Sequence, residues 1–189
     1  MTPPLVVGIT GASGVIYGVE LLRALKKLDV PTHLIVTEAG ARTLMLETGI
    51  ALAEVKALAN VVHSNRDIAA SISSGSFLTR GMIVVPCSIK TLSSIANSYD
   101  ADLVARAADV TLKERRPLVL MVRETPLHKG HLDLMARAAE YGAIIQPPMP
   151  AFYHKPETLQ DIVDQGVARA LDQLGVTHDL FPRWDDQDV

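Results

Sequence analysis

Polar side chains with chemical potential stand directly behind four apolar runs of this chain. Residues 5–9, Leu-Val-Val-Gly-Ile, lead into Thr10-Gly11-Ala12-Ser13-Gly14. A strand that ends in a small-residue turn and enters a helix leaves unpaired amides at a partly positive helix start, and a phosphate is the natural occupant. Ser13 adds a hydroxyl to that turn. Residues 32–36 end at Thr37; residues 82–85 are followed by Pro86, Cys87, Ser88 and, one turn on, Thr91; residues 118–122 are followed by Arg123 and Glu124. Parallel strands would gather these ends on one rim. Hydroxyls with one guanidinium and one carboxylate suit a phosphate and the polar edge of a ring, the guanidinium pairing a phosphate in two-pronged fashion.

Other chemistries fit less well. Gly8, Gly11 and Gly14 are each three apart, so the dinucleotide pattern G-x-G-x-x-G is not met, and no G-x-x-x-x-G-K-[ST] occurs. The one cysteine, Cys87, needs a base or a positive field to act as a nucleophile; a lone cysteine is more often a small buried residue. His128 and His131 have spacing that can share a metal, but no third ligand is spaced to join them, so no metal is expected. Ser74-Gly75-Ser76 is either an ordinary turn or a loop that lies over a ligand. Lys113-Glu114-Arg115-Arg116 reads as a solvated helix end. Tyr153, behind a proline-rich stretch, and the distant Arg169 together can close around an anionic or apolar group. Trp184, the one tryptophan, sits in a polar tail, residues 177–189, which it would anchor to its own domain or to a neighbouring subunit.

These groups need a scaffold. At 189 residues, with 48% hydrophobic but only 4% aromatic residues, one domain with an aliphatic core is expected. Helix-period segments at 15–28, 38–48, 53–59, 91–97, 101–116, 132–141 and 159–174 alternate with strand-like runs at 5–9, 32–36, near 61, 82–85, 118–122 and 143–145. Alternation of this kind predicts a three-layer α/β/α, doubly wound parallel sheet with ligands beyond the strands' carboxyl ends. The net charge of -3, with acids and bases interspersed, argues against nucleic acid. No stretch approaches a membrane span, and the N-terminus lacks the features of a signal peptide, so a cytoplasmic setting is expected.

The motifs Thr10-Gly11-Ala12-Ser13-Gly14, Ser74-Gly75-Ser76, Pro86-Cys87-Ser88 with Thr91-Leu92, Arg106-Ala107-Ala108-Asp109, Leu112-Lys113-Glu114-Arg115-Arg116-Pro117-Leu118, Arg123-Glu124-Thr125-Pro126, Phe152-Tyr153 and Arg183-Trp184 occur in this order. In combination they resemble the UbiX-type flavin prenyltransferases, formerly described as Pad-type aromatic acid decarboxylases, over essentially the whole chain. The resemblance implies a flavodoxin-like, Rossmann-like single domain that binds FMN. It implies an enzyme that joins a dimethylallyl group from dimethylallyl monophosphate to N5 and C6 of reduced FMN, without a metal. The product, prenylated FMN, would serve a UbiD-type decarboxylase in quinone synthesis or aromatic acid degradation.

Carried over by position, the resemblance implies that Gly11, Ala12, Ser13, Thr37, Ser88, Thr91 and Arg123 hold FMN. Lys113, Arg123, Glu124, Tyr153 and Arg169 would surround the prenyl phosphate. Ser13, Glu47, Glu124 and Trp184 would take catalytic parts: proton movements at Ser13 and Glu47, and π density over an allyl cation at Trp184. Such sites are shared between subunits of a homo-oligomer, commonly a dodecamer. One departure is visible, since Asp102 stands where many members carry an amide. Two alternatives remain. One is a flavoprotein of the phosphopantothenoylcysteine-decarboxylase kind, although residues 37–46 lack the histidine such enzymes use. The other is a non-catalytic FMN-binding subunit of a hydroxyarylic acid decarboxylase.

Overall fold

The computed structural model describes residues 2–183. Six parallel strands form one sheet: β1 Leu5–Ile9, β2 Thr32–Val36, β3 Val61–His63, β4 Gly81–Cys87, β5 Leu118–Val122 and β6 Ile144–Ile145. The helices are α1 Val15–Lys27, α2 Glu38–Thr48, α3 Leu52–Lys56, α4 Ile89–Ala96, α5 Leu103–Lys113, α6 Lys129–Glu140 and α7 Leu159–Gln173. The strand order is β3-β2-β1-β4-β5-β6. This is the doubly wound order whose winding reverses between β1 and β4. Without the three-residue edge strand β3, the remaining five follow the flavodoxin-like order of the same plan.

Both faces of the sheet are covered, so its central strands are apolar throughout rather than alternating. Leu5, Val7 and Ile9 of β1, with Ile83, Val85, Val119 and Met121, pack with residues of α1 and α7 such as Leu22, Leu25, Val167 and Leu171. Val6, Met82, Val84 and Leu120 face the other way, against Leu92 of α4, Val104 of α5 and Ala138 of α6. Gly8 leaves room on that second face, where a Cβ would already touch Val104.

Several element boundaries differ from those expected. β4 does not stop at Val85 but runs through Pro86 to Cys87, and its register with β5 shifts between Val84 and Cys87. A strand irregularity is where a residue without an N–H donor can be accommodated. The helix expected over 101–116 starts at Leu103, because the Asp102 side chain accepts from the Ala105 amide and caps it. The helix expected from 132 starts at Lys129, capped by His128, whose Nδ1 accepts from the Gly130 amide.

At the far end, residues 177–183 fold back on α7. His178 is held by the Ala168 carbonyl and Asp172, and Arg183 meets both Asp172 oxygens, at 2.8 and 3.2 Å. Trp184 and the rest of the tail lie outside the described residues.

Candidate functional site

The winding reversal opens a crevice between the ends of β1 and β4, and one buried hydroxyl fixes its shape. Thr10 Oγ1 donates to the Pro86 carbonyl at 2.7 Å and accepts from the Ser88 amide at 2.9 Å. The Thr10 amide also donates to Pro86 O, and the Arg123 amide donates to Cys87 O, so the ends of β1, β4 and β5 are tied side by side. The turn after β1 presses on α2: a Cβ at Gly11 would collide with Ala39, and one at Gly40 would lie 2.7 Å from the Ile9 carbonyl oxygen. These glycines are required by the close approach of the turn and the helix.

Next to this crevice lies a cleft of about 350 Å³ lined by Thr10, Gly11, Thr37, Glu38, Ala39, Asn65, Arg66, Ser88, Lys90, Thr91, Ser94, Asp102 and Ala105. Three helix starts meet in it, those of α2, α4 and α5. Thr37 Oγ1 caps α2 by accepting from the Gly40 amide at 3.0 Å, and Ser88 Oγ caps α4 by accepting from the Thr91 amide at 3.3 Å. The Thr91 hydroxyl lies 3.1 Å from that of Ser88. The first N–H groups of a helix have no acceptor within it. The amides of Glu38 and Ala39, and of Ile89 and Lys90, therefore remain for a ligand. Two positive helix ends, hydroxyls and the side chains of Arg66 and Lys90 make a donor set suited to a phosphate.

The start of α1 is different. Gly14 takes a left-handed conformation, φ 93°, and the amides of Gly14 and Val15 donate to Glu47 Oε2 at 2.9 and 3.3 Å. The carboxylate of α2 thus occupies the helix start where a phosphate was expected. The phosphate-like donor set lies at α2 and α4 instead. Ser13, in the same turn as Gly11 and Ala12, is exposed.

The remaining expected residues fall into separate groups. Arg123 and Glu124 follow β5, both exposed, with Glu124 Oε1 accepting from the Thr125 amide at 3.0 Å. Arg169 lines a groove with Met121, Gln146, Pro147 and Gln165, and its guanidinium pairs with Asp172 at 2.8 Å. The Tyr153 hydroxyl is 3.4 Å from Gln165 Nε2.

Lys113 lies at the C-terminal end of α5, beside Gly75 and paired with Glu114, whose carboxyl that contact holds below the usual carboxylate range. An 11-residue helix is about 16 Å long. Lys113 and Ser74-Gly75-Ser76 therefore lie toward the opposite end of the strands from the cleft, near the start of β5. That loop is stapled there by Arg116, which donates to the carbonyls of Gly75 and Phe77. Within one chain it does not cover the cleft.

Cys87 is fully buried, and desolvation pushes its thiol up to about 12, which leaves no thiolate for catalysis at neutral pH. His128 uses Nδ1 as a helix cap, and among the described residues no group of three or more His, Cys, Asp or Glu is placed to hold a metal ion. No helix among them is long and apolar enough to cross a membrane.

Sequence reasoning missed Asn65, Arg66 and Lys90 as cleft residues. Asn65 and Arg66 belong to the irregular stretch between β3 and β4, where no periodicity marks a direction. Lys90 was in plain view between Ser88 and Thr91, and the first turn of a capped helix was the signal that could have found it.

The parallel sheet, the winding reversal and a phosphate-suited cleft define a flavoprotein of the doubly wound class, and the Flavoprotein family model matches residues 2–171. The Flavin prenyltransferase UbiX of Escherichia coli K12 is 62% identical over 183 residues, covering 95% of this chain and 97% of that protein. The structure of AnUbiX in complex with FMN and dimethylallyl pyrophosphate superposes with a TM-score of 0.96 at 46% identity, covering 98% of each chain. A dodecameric FMN-dependent UbiX-like decarboxylase from E. coli O157:H7 gives a TM-score of 0.94 at 51% identity, covering 96% of this chain and 99% of that one. The chain belongs to the UbiX flavin prenyltransferase family. Neither alternative, the cysteine-decarboxylase kind or the non-catalytic subunit, is favoured by these likenesses.

Proposed function

We propose that the chain transfers a dimethylallyl group from dimethylallyl phosphate to N5 and C6 of reduced FMN. The observation that carries this reading is the convergence of two open helix starts, α2 and α4, with the capping hydroxyls of Thr37 and Ser88 beside the close-packed turn at Gly11. That donor set fits the phosphate of FMN. Gly11, Ala12 and Ser13 in the turn after β1, and Arg123, whose amide is tied to the end of β4, are assigned to the rest of the nucleotide. When bound, FMN supplies the nucleophilic ring atoms.

The chain's own residues do the remaining work. Loss of phosphate from an allylic carbon builds negative charge on the leaving group, and fixed cations aimed at that charge lower the barrier. Lys113, Arg123 and Arg169 take this part, with Glu124 and Tyr153 orienting the donor and Trp184 beside it. Glu47 is held by two backbone amides through one oxygen, Oε2, which leaves Oε1 to accept or relay a proton. Ser13 stands next to that carboxylate's anchor and shares the proton movements.

Lys113 lies at the far end of α5 from its own cleft, so in this role it would come from a neighbouring subunit of a homo-oligomer, proposed as a dodecamer. The tail from residue 177 is assigned to the same subunit contacts. The product would pass to a UbiD-type decarboxylase in the cytoplasm.

The test is to incubate the purified protein anaerobically with reduced FMN and either dimethylallyl monophosphate or diphosphate, and to weigh the extracted flavin by mass spectrometry. A flavin heavier by one prenyl unit supports the proposal, and the better donor names the leaving group. Unchanged FMN with both donors overturns it.

A further inference from the structure

We infer that Asp102, held in place by Asn65, is a specificity-determining residue that restricts the cleft to flavins ending in a single phosphate and excludes those extended by a second one. The inference rests on reading the cleft as the flavin phosphate site.

Three helices start in the cleft, and they are not equivalent. α2 and α4 each leave two amides open, as described above. The start of α5 is shut. Its Leu103 amide donates to the Asn65 backbone carbonyl at 2.9 Å and its Val104 amide to Asn65 Oδ1 at 3.1 Å. Its Ala105 amide donates to Asp102 Oδ1 at 3.0 Å, and its Arg106 amide to the Asp102 carbonyl at 3.0 Å. The amides of Leu103, Val104 and Ala105 are thus consumed inside the chain, and that of Arg106 makes the first bond of the helix itself. Asn65 Nδ2 then donates to Asp102 Oδ2 at 3.1 Å, so both carboxylate oxygens are fixed. Both side chains are half-buried and both line the cleft.

The consequence is a cleft with room for one anion. A phosphomonoester finds four free amides and two hydroxyl caps at α2 and α4. A second phosphate in the same cleft finds the remaining helix start satisfied and bearing a negative charge, which repels it at short range in a partly desolvated space. The cations on hand, Arg66 and Lys90, are exposed, and Arg66 already lies 3.7 Å from Glu38, so they offer a second phosphate only solvent-screened attraction. FMN carries a terminal phosphomonoester; FAD carries the same phosphate extended to a pyrophosphate.

The test measures FMN and FAD affinities by titration calorimetry on the full-length protein freed of flavin, in four forms: unaltered, Asp102→Asn, Asp102→Ser and Ser88→Ala. Asn and Ser are both good helix caps, so these variants remove the charge and keep the start of α5; the second serves if the first does not fold. The expected result is FMN binding at least 100-fold tighter than FAD in the unaltered protein, and a ratio reduced at least tenfold, mainly through tighter FAD binding, when the charge at 102 is removed. Equal affinities in the unaltered protein, or a ratio within twofold of the original in a folded Asp102 variant, overturn the inference. FMN binding that is indifferent to Ser88→Ala overturns the placement of the phosphate itself, a different failure with a different signature.

Discussion

The Thr10 hydroxyl accepts from the Ser88 amide at 2.9 Å while donating to the Pro86 carbonyl, so one buried side chain sets the distance between the two strand ends that flank the crevice. Thr10→Val keeps the shape and removes both bonds. Leaving the Ser88 amide without its partner, while the Pro86 carbonyl keeps only the Thr10 amide, costs about 1–3 kcal/mol. The expected outcome is a Tm lower by several degrees and an FMN affinity at least tenfold weaker, while Thr10→Ser stays close to the original in both. Thermal melts and FMN titrations of the two variants check this; equal loss in both would remove the hydroxyl from the argument.

Glu47→Gln preserves an oxygen for the Gly14 and Val15 amides and removes the proton-accepting carboxylate. FMN is expected to bind within threefold of the original affinity, and prenylated flavin to form at least tenfold more slowly. Single-turnover assays with reduced FMN and dimethylallyl phosphate measure this. Unimpaired turnover would show that Glu47 serves only to anchor the start of α1.

Arg169 lies in a groove apart from the phosphate-suited cleft, and Lys113 at the far end of α5 from it. Arg169→Ala is expected to raise the KM for dimethylallyl phosphate tenfold or more with FMN affinity changed less than threefold. The reverse order would place Arg169 at the flavin. Oligomers formed from a mixture of Lys113→Ala and Ser88→Ala chains are expected to recover part of the activity that each variant lacks alone, because some sites then receive an intact Lys113 and an intact Ser88 from different chains. No recovery in mixed oligomers would place Lys113 outside the active site.

His33 on β2 and His63 on β3 share a hydrogen bond, Nδ1 to Nε2, at 2.9 Å. Burial lowers the His33 pKa, with the neighbouring His63 lowering it further; burial also lowers that of His63, against the opposing pull of Asp67. A folded pKa below the unfolded one means that the unfolded chain takes up protons first. Stability from this pair is therefore complete above about pH 6.5, the ordinary histidine value, and declines as pH falls through that value toward the lowered folded pKa. Tm is expected to be lower at pH 5 than at pH 7.5, with a smaller drop in His63→Gln. An identical drop in that variant would assign the acid sensitivity elsewhere.

Much of the scaffold could be read from apolar runs alone. The run 5–9 and its counterparts at 32–36 and 118–122 are the strands β1, β2 and β5 to the residue, because strands buried on both faces leave an unbroken hydrophobic signature. Thr37 and Ser88 were legible because they stand just behind apolar strand runs; the structure adds that each caps the helix that follows. What was not legible depends on partners far along the chain. Nothing near Glu47 says that it will meet amides 33 positions earlier, so the first turn was given to a phosphate. Pro86 was taken as the end of its strand, since the register shift that accommodates it exists only against β5. Ser74-Gly75-Ser76 has the composition of a lid and is pinned by Arg116 from the turn between α5 and β5. The resemblance to a family supplied the role of Lys113, for which neither local pattern nor one chain's geometry gives a reason.

The bonds that shape the cleft join residues 76 and 78 positions apart at Thr10, 37 apart between Asn65 and Asp102, and 33 apart between Gly14 and Glu47. A ribosome releasing this polypeptide in order delivers the turn at Thr10 and Gly11 first and the cleft's Asp102 more than 90 residues later. Closing such separations costs more loop entropy than closing the local contacts of a single helix or turn, so these bonds are expected to form after them. The region around the cleft is thus expected to be completed after the parallel β1-α1-β2 unit has formed. Defects there are expected to hasten unravelling of the finished protein rather than to delay its assembly.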